Sequence, residues 1–254
     1  MRCIKRFFKA FFMAFGMFCA VPLPFHVWDD ACMNLVIPCF PLIGVLLGGL
    51  FWGIARLLVL GGIHTVLMAA ILTVTPFLLT GFLHVDGFMD TSDAVLSRRP
   101  MEDKLRILKD PHTGAFAVIA LAVLIVLQFA AVYVICDEKK NFTLLLFINV
   151  MSRCCSAAAF LCLRALPQSG YAAMFRQNTH VRHKLFVIAI ALSTTALAYY
   201  FTGPAGLAVM ASTFLGFSCA MAYAYRDLQG VSGDVTGSSL VLGELCGLIA
   251  LAVV

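Results

Sequence analysis

Charge is scarce in this chain. Of 254 residues only 18 are Lys or Arg and 13 are Asp or Glu, while 62% are apolar. The mean hydropathy of +0.97 lies outside the range of a water-soluble globular domain. The alternating apolar and polar pattern of a membrane β-barrel is missing as well. The apolar runs are continuous, which leaves the helix as the way to satisfy the backbone in lipid. Ten cysteines, at 3, 19, 32, 39, 136, 154, 155, 162, 219 and 246, never form a CxxC pair and lie mostly in apolar stretches. That excludes a zinc or disulfide framework and reads as small buried hydrophobes. No basic patch is interleaved with exposed aromatics, so nucleic acid is not an expected partner. No internal repeat or low-complexity tract argues for an inverted-repeat transporter.

What remains is a pattern of long apolar runs. A helix needs about 20 apolar residues to cross about 30 Å of hydrocarbon, and seven runs approach that length, near 40–60, 64–83, 113–136, 142–163, 184–201, 205–225 and 236–254. The expected fold is all-α, a polytopic transmembrane bundle forming one integral membrane domain over 1–254. The basic, apolar start MRCIKRFFKAFFMAFGMFCAVPLP shows no convincing cleavage site and closes on Pro22 and Pro24, so it is expected to stay as an interfacial or re-entrant helix. Basic residues crowd the N-terminus, 84–112 (Arg98, Arg99, Lys104, Arg106, Lys109) and 164–184 (Arg164, Arg176, Arg182, Lys184). If seven spans alternate, all three segments fall on one side, cytoplasmic by the positive-inside rule, together with YRDLQGVSGDVTG at 225–237. The lipid bilayer is the first partner this composition demands, and a homo-oligomer is compatible with it.

Against this background the run HVDGFMDTSDAV, 84–95, spends three of the chain's few carboxylates within eight positions. Asp86, Asp90 and Asp93 advance by four and then three residues, so a helix would present them on one face, with Val85, Phe88 and Val95 opposite. Two carboxylates about 6 Å apart at an effective dielectric near 20 repel by roughly 3 kcal/mol. A hard cation offsets such repulsion, and Mg²⁺ typically combines one or two carboxylates with substrate phosphate oxygens. Arg98, Arg99, Arg106 and Lys109 lie nearby, where a polyanionic substrate would meet them. Acid for a metal and base for a phosphate point to metal-assisted phosphoryl transfer. A solvated helix end and an ion pathway are the competing readings. A second acidic element, GVSGDVTG, sets Asp234 among Gly230, Gly233 and Gly237, where backbone N–H groups can approach an anion. Arg153, inside the apolar run MSRCCSAAA, needs a substrate phosphate or a carboxylate for company, and Glu244 poses the same problem one helix later.

The runs LHVDGFMDTSDAV, KDPHTGAFAV, FPLIGVLLG and LQGVSGDVTGSSLVLGEL together resemble the cobalamin synthase family, the adenosylcobinamide-GDP ribazoletransferases, over nearly the whole chain. The resemblance implies an integral membrane, Mg²⁺-dependent enzyme, and the bias of Lys and Arg sets its expected active site on the cytoplasmic face of the cell's inner membrane. It would join adenosylcobinamide-GDP to α-ribazole or its 5′-phosphate and release GMP. The family's acidic motif falls on Asp86, Asp90 and Asp93 with His84 before it, its Lys-Asp pair on Lys109 and Asp110, and its late Gly-Asp on Gly233 and Asp234. Asp86, Asp90 and Asp234 are then the expected metal ligands, and Asp93 or His84 the expected base. Lys109, Asp110, Arg98, Arg99, Arg153 and Gly233 are the expected substrate contacts. Ala94, Ala117 and Gln229 stand where glycine is expected. Two rivals are a membrane transferase of the CDP-alcohol phosphotransferase type, which should show Ala-Arg after its first Asp-Gly where this chain has Phe88-Met89, and a cation-coupled corrinoid transporter.

Overall fold

Backbone inside hydrocarbon must bond within its own segment, so the long apolar runs form helices. The computed structural model describes residues 2–25, 27–167, 174–175 and 179–254; Arg176, one of the expected basic residues, lies outside them. In chain order the helices are α1 (Arg2–Phe18), α2 (Met33–Leu60), α3 (Thr65–Leu79), α4 (Leu83–Leu96), α5 (Met101–Ile107) and α6 (Ala115–Asp137). They continue with α7 (Thr143–Cys162), α8 (Val181–Thr202), α9 (Pro204–Leu228) and α10 (Gly233–Val253). Among the described residues there is no strand, only one isolated bridge between Ala165 and Val231.

Among the described residues six segments are long and apolar enough to cross a membrane: Asp30–Leu60, α6, α7, α8, α9 and α10. The pair α3 and α4 makes a seventh if counted as one span, bent by 88°. The protein is thus a polytopic helical membrane bundle. Two expected spans differ in detail. The one expected at 40–60 begins about ten residues earlier, because Pro38 and Pro41 are accommodated inside α2; a proline in a buried membrane helix is tolerated where neighbouring helices cover the freed carbonyls. The one expected at 64–83 is not a straight crossing. α3 has 15 residues, about 22 Å at 1.5 Å per residue, and Gly81 and Phe82, with φ of 60° and 64°, turn the chain into α4. α1 is not among the candidate spans. It buries Ala10, Met13 and Ala14 against the bundle and is tied to the following loop by Lys9 and Asp29, 2.9 Å apart.

The core centres on α7, the most enclosed span, whereas α6 and α8 are the most open. Ile119 and Val126 on α6 and Leu192 and Tyr200 on α8 therefore face outward, where lipid rather than water is their solvent. Three connections meet at one end of the bundle. Leu166 and Val231 of two different loops exchange backbone contact through Leu166 N–H to Val231 O at 2.9 Å, and Val231 N–H reaches Arg164 O at 2.9 Å. Lys104 of α5 reaches Asp227 of α9. Gly87 of α4 lies against Asp234 of α10.

Candidate active site

α4 is amphipathic in the manner its spacing predicts. Val85, Phe88 and Val95 are buried, each 6% exposed, while Asp86 is exposed and Asp90 and Asp93 are half-buried on the other face. The remote carboxylate arrives through a close helix contact. A Cβ built on Gly87 would stand 2.7 Å from the Cα of Asp234 and 3.0 Å from its carbonyl oxygen, so only glycine lets the two backbones approach this far. One turn along, Gly237 faces His84 with ordinary spacing, 3.4 Å from an added Cβ to the His84 Cα. Asp90 consequently feels the charges of Asp86, Asp93 and Asp234, and Asp234 that of Asp86. Ser232 caps α10 by accepting from Val235 N–H at 3.2 Å, and its hydroxyl donates to Asp234 Oδ2 at 3.2 Å. Asp234 thus sits in the first turn of a helix, the end that favours an anion.

None of the ion pairs among the described residues involves Asp86, Asp90, Asp93 or Asp234. Among those residues, no three His, Cys, Asp or Glu side chains form a ready-made cation cage. A hard cation that shares its shell with substrate phosphates and water requires only one or two protein carboxylates. Among the described residues these four oxygen-donor side chains have no cationic partner, and carboxylate oxygens are the donor chemistry that a hard cation such as Mg²⁺ would take.

Asp93 has a further neighbour. Its carboxylate occupies the space that a Cβ on Gly114 would need, and Gly114 is the N-cap of α6, without a side-chain cap of its own. An anion there meets the positive end of the helix, and the KDPHTG loop is drawn against α4. Within that loop Lys109 and Asp110 are exposed, as are Arg98, Arg99 and Gly233. The Asp110 carboxylate accepts from the His112 N–H at 3.0 Å and contacts its Nδ1 at 2.6 Å. These contacts hold the Asp110 carboxyl below the usual carboxylate range.

His84 and Arg153 lie inside the bundle. His84 is 8% exposed, its ring 5.8 Å from that of Phe40, and its Nε2 has no hydrogen-bond partner. Arg153 is 1% exposed and meets a carboxylate: its Nη1 donates to Glu244 Oε1 at 2.5 Å and to Asn149 O and Oδ1 at 3.1 Å. Ser152 also donates to Glu244, at 2.8 Å. Of the two partners expected for Arg153, the structure supplies the carboxylate, and Glu244 finds its interior pair. The sequence reading missed Lys104 and Asp227 as a pair. Lys104 Nζ lies 2.6 Å from both carboxylate oxygens of Asp227. A signal for it existed: Asp227 stands in the last turn of a helix, where an anion is disfavoured without a cation beside it.

By class, this is a polytopic helical membrane protein with an acidic site at one end of its bundle. The profile of the family described as cobalamin-5-phosphate synthase matches residues 10–252, and the chain belongs to that family. It is 35% identical over 247 residues to an adenosylcobinamide-GDP ribazoletransferase of Clostridium botulinum (strain Alaska E43 / Type E3), covering 97% of this chain and 98% of the relative. To the protein of the same name from Clostridium perfringens (strain ATCC 13124) it is 34% identical over 252 residues, 99% of this chain and all (100%) of the relative. To that from Geobacillus kaustophilus (strain HTA426) it is 27% identical over 246 residues, 95% and 94% of the two chains. No solved structure matches the chain.

Proposed function

We propose that this protein is an adenosylcobinamide-GDP ribazoletransferase of the cytoplasmic membrane, Mg²⁺-dependent, with its active site facing the cytoplasm. The observation that carries the reading is the meeting of Asp86 and Asp90 on α4 with Asp234 on α10, two elements some 140 residues apart, in a chain matched over 97–99% of its length by relatives of that name. Neither rival is favoured by these relatives.

In the reaction, a ribose hydroxyl of α-ribazole or its 5′-phosphate attacks the corrinoid-side phosphorus of the diphosphate. A new P–O bond forms, the P–O bond to GMP breaks, and the hydroxyl proton passes to a base. Asp86, Asp90 and Asp234 would hold Mg²⁺, whose charge offsets that on the transferred phosphoryl and on departing GMP. Arg98 and Arg99, on the loop that follows α4, and Lys109, on the loop that follows α5, are exposed cations suited to anchoring the diphosphate. Asp110 and the exposed Gly233 complete the proposed substrate contacts. Exposure supports Asp93 over His84 as the base, since the His84 ring is buried against Phe40. Arg98, Arg99, Lys104 and Arg164, on the connections that meet at the acidic end, support a cytoplasmic orientation.

The test is to incubate the protein in lipid nanodiscs with adenosylcobinamide-GDP and α-ribazole 5′-phosphate, with Mg²⁺ or with EDTA. GMP release that requires Mg²⁺ is the expected result. Corrinoid binding without GMP release would move the chain to the transporter reading.

A further inference from the structure

Asp227 belongs to the last turn of α9, where the carbonyl end of the helix repels an anion. Its counter-ion comes from α5, seven residues long, too short to persist without tertiary contacts. Lys104 is buried, 7% exposed, and its ammonium sits 2.6 Å from each Asp227 oxygen. The two sides of this pair lead straight into the acidic site. From Lys104 the chain runs back through Arg98 to Asp93 and Asp90. From Asp227 it runs through Gln229, with φ of 57°, and Val231, bonded to Arg164 and Leu166, to Ser232 and Asp234. The pair thus joins the segment that follows Asp93 to the segment that precedes Asp234, and the helices carrying those aspartates meet at Gly87 and Asp234.

We propose that Lys104 and Asp227 are positioning residues for the transfer reaction, their ion pair fixing the approach of Asp234 to Asp86 and Asp90. The inference rests on the proposed role of those three carboxylates. Neither residue touches substrate; the pair acts by holding the turn that presents Asp234.

The experiment uses the full chain in nanodiscs and compares Lys104→Met, Asp227→Asn, the exchange Lys104→Glu with Asp227→Lys, and Lys140→Met, which breaks the Lys140–Glu138 pair of another loop, 2.9 Å in length. Two quantities are read: amide hydrogen exchange over 232–237 with neither substrate nor divalent cation, and GMP release as a function of Mg²⁺. Each single variant should speed exchange at 232–237 while leaving α7 protected, and should raise half-saturating Mg²⁺ about 10–100-fold, the range for loss of a residue that orients a metal ligand. The charge exchange should restore both, and Lys140→Met should change neither. Wild-type exchange and Mg²⁺ dependence in Lys104→Met and Asp227→Asn would overturn the proposal. If a single variant fails to fold, the charge-exchange protein decides: slow exchange at 232–237 supports the pairing, fast exchange refutes it. Wild-type turnover undiminished in EDTA would remove the metal reading alone, leaving exchange at 232–237 to judge the ion pair.

Discussion

Replacing Gly87 with alanine adds one methyl group at the point where α4 meets α10. That methyl would lie 2.7 Å from Asp234 Cα and 3.0 Å from its carbonyl oxygen, against about 3.5–4.0 Å for comfortable carbon contacts. Both neighbours are backbone, so no side chain can swing aside, and the helices must part by about 1 Å. Overpacking of this kind costs about 1–3 kcal/mol, less about 0.5–1 kcal/mol returned by the better helix propensity of alanine. The functional cost should be larger than the structural one, since about 1 Å of misplacement at a reacting centre can lower a rate about 10²-fold. Gly237→Ala, on the same interface, adds a methyl 3.4 Å from His84 Cα, an ordinary contact, and should be nearly silent. GMP release and thermal unfolding of both variants in nanodiscs make the assay. Gly87→Ala with wild-type turnover, or Gly237→Ala as damaged as Gly87→Ala, would refute the reasoning.

Arg153→Met should destabilise the bundle by about 3–5 kcal/mol, because it strands a carboxylate in the interior, and adding Glu244→Leu should recover much of that loss in the same melting assay. Gln229→Gly should be neutral to stabilising by about 1 kcal/mol in denaturant unfolding, since a left-handed residue with a side chain is strained where glycine is not. The Asp110–His112 turn has a pH sign that can be checked: with the folded carboxyl lowered, its stabilisation is complete above the ordinary carboxylate range and is lost as pH falls through the lowered value. Protection of the His112 amide against exchange should therefore persist from neutral pH down through the usual carboxylate range, and disappear only on further acidification.

The helical bundle was legible in the sequence because lipid imposes one rule on every long apolar run. The ends were not, because Pro38 and Pro41 read as boundaries yet are covered inside α2, and because the turn at Gly81–Phe82 that swings α4 by 88° carries no apolar signature. The acidic face of α4 followed from helical spacing alone. Its meeting with Asp234 is a tertiary contact between glycine-bearing helices, and a shared membrane side is the most a sequence can say of it. Of the expected glycines, Ala94 and Ala117 lie inside helices and are buried, where alanine serves, whereas Gln229 does adopt the left-handed conformation. Lys104 and Asp227 stayed hidden because a lysine on a basic loop looks like membrane-orienting charge until its partner 123 residues away is seen.

Carboxylates from α4 and α10 are proposed to hold one divalent cation. Mn²⁺ binding followed by electron paramagnetic resonance, in the presence of adenosylcobinamide-GDP, tests it most directly across wild type, Asp86→Asn, Asp90→Asn and Asp234→Asn. Loss or marked weakening of the same bound-Mn²⁺ signal in all three variants is the predicted result; retention of that signal at wild-type affinity in Asp234→Asn would contradict it.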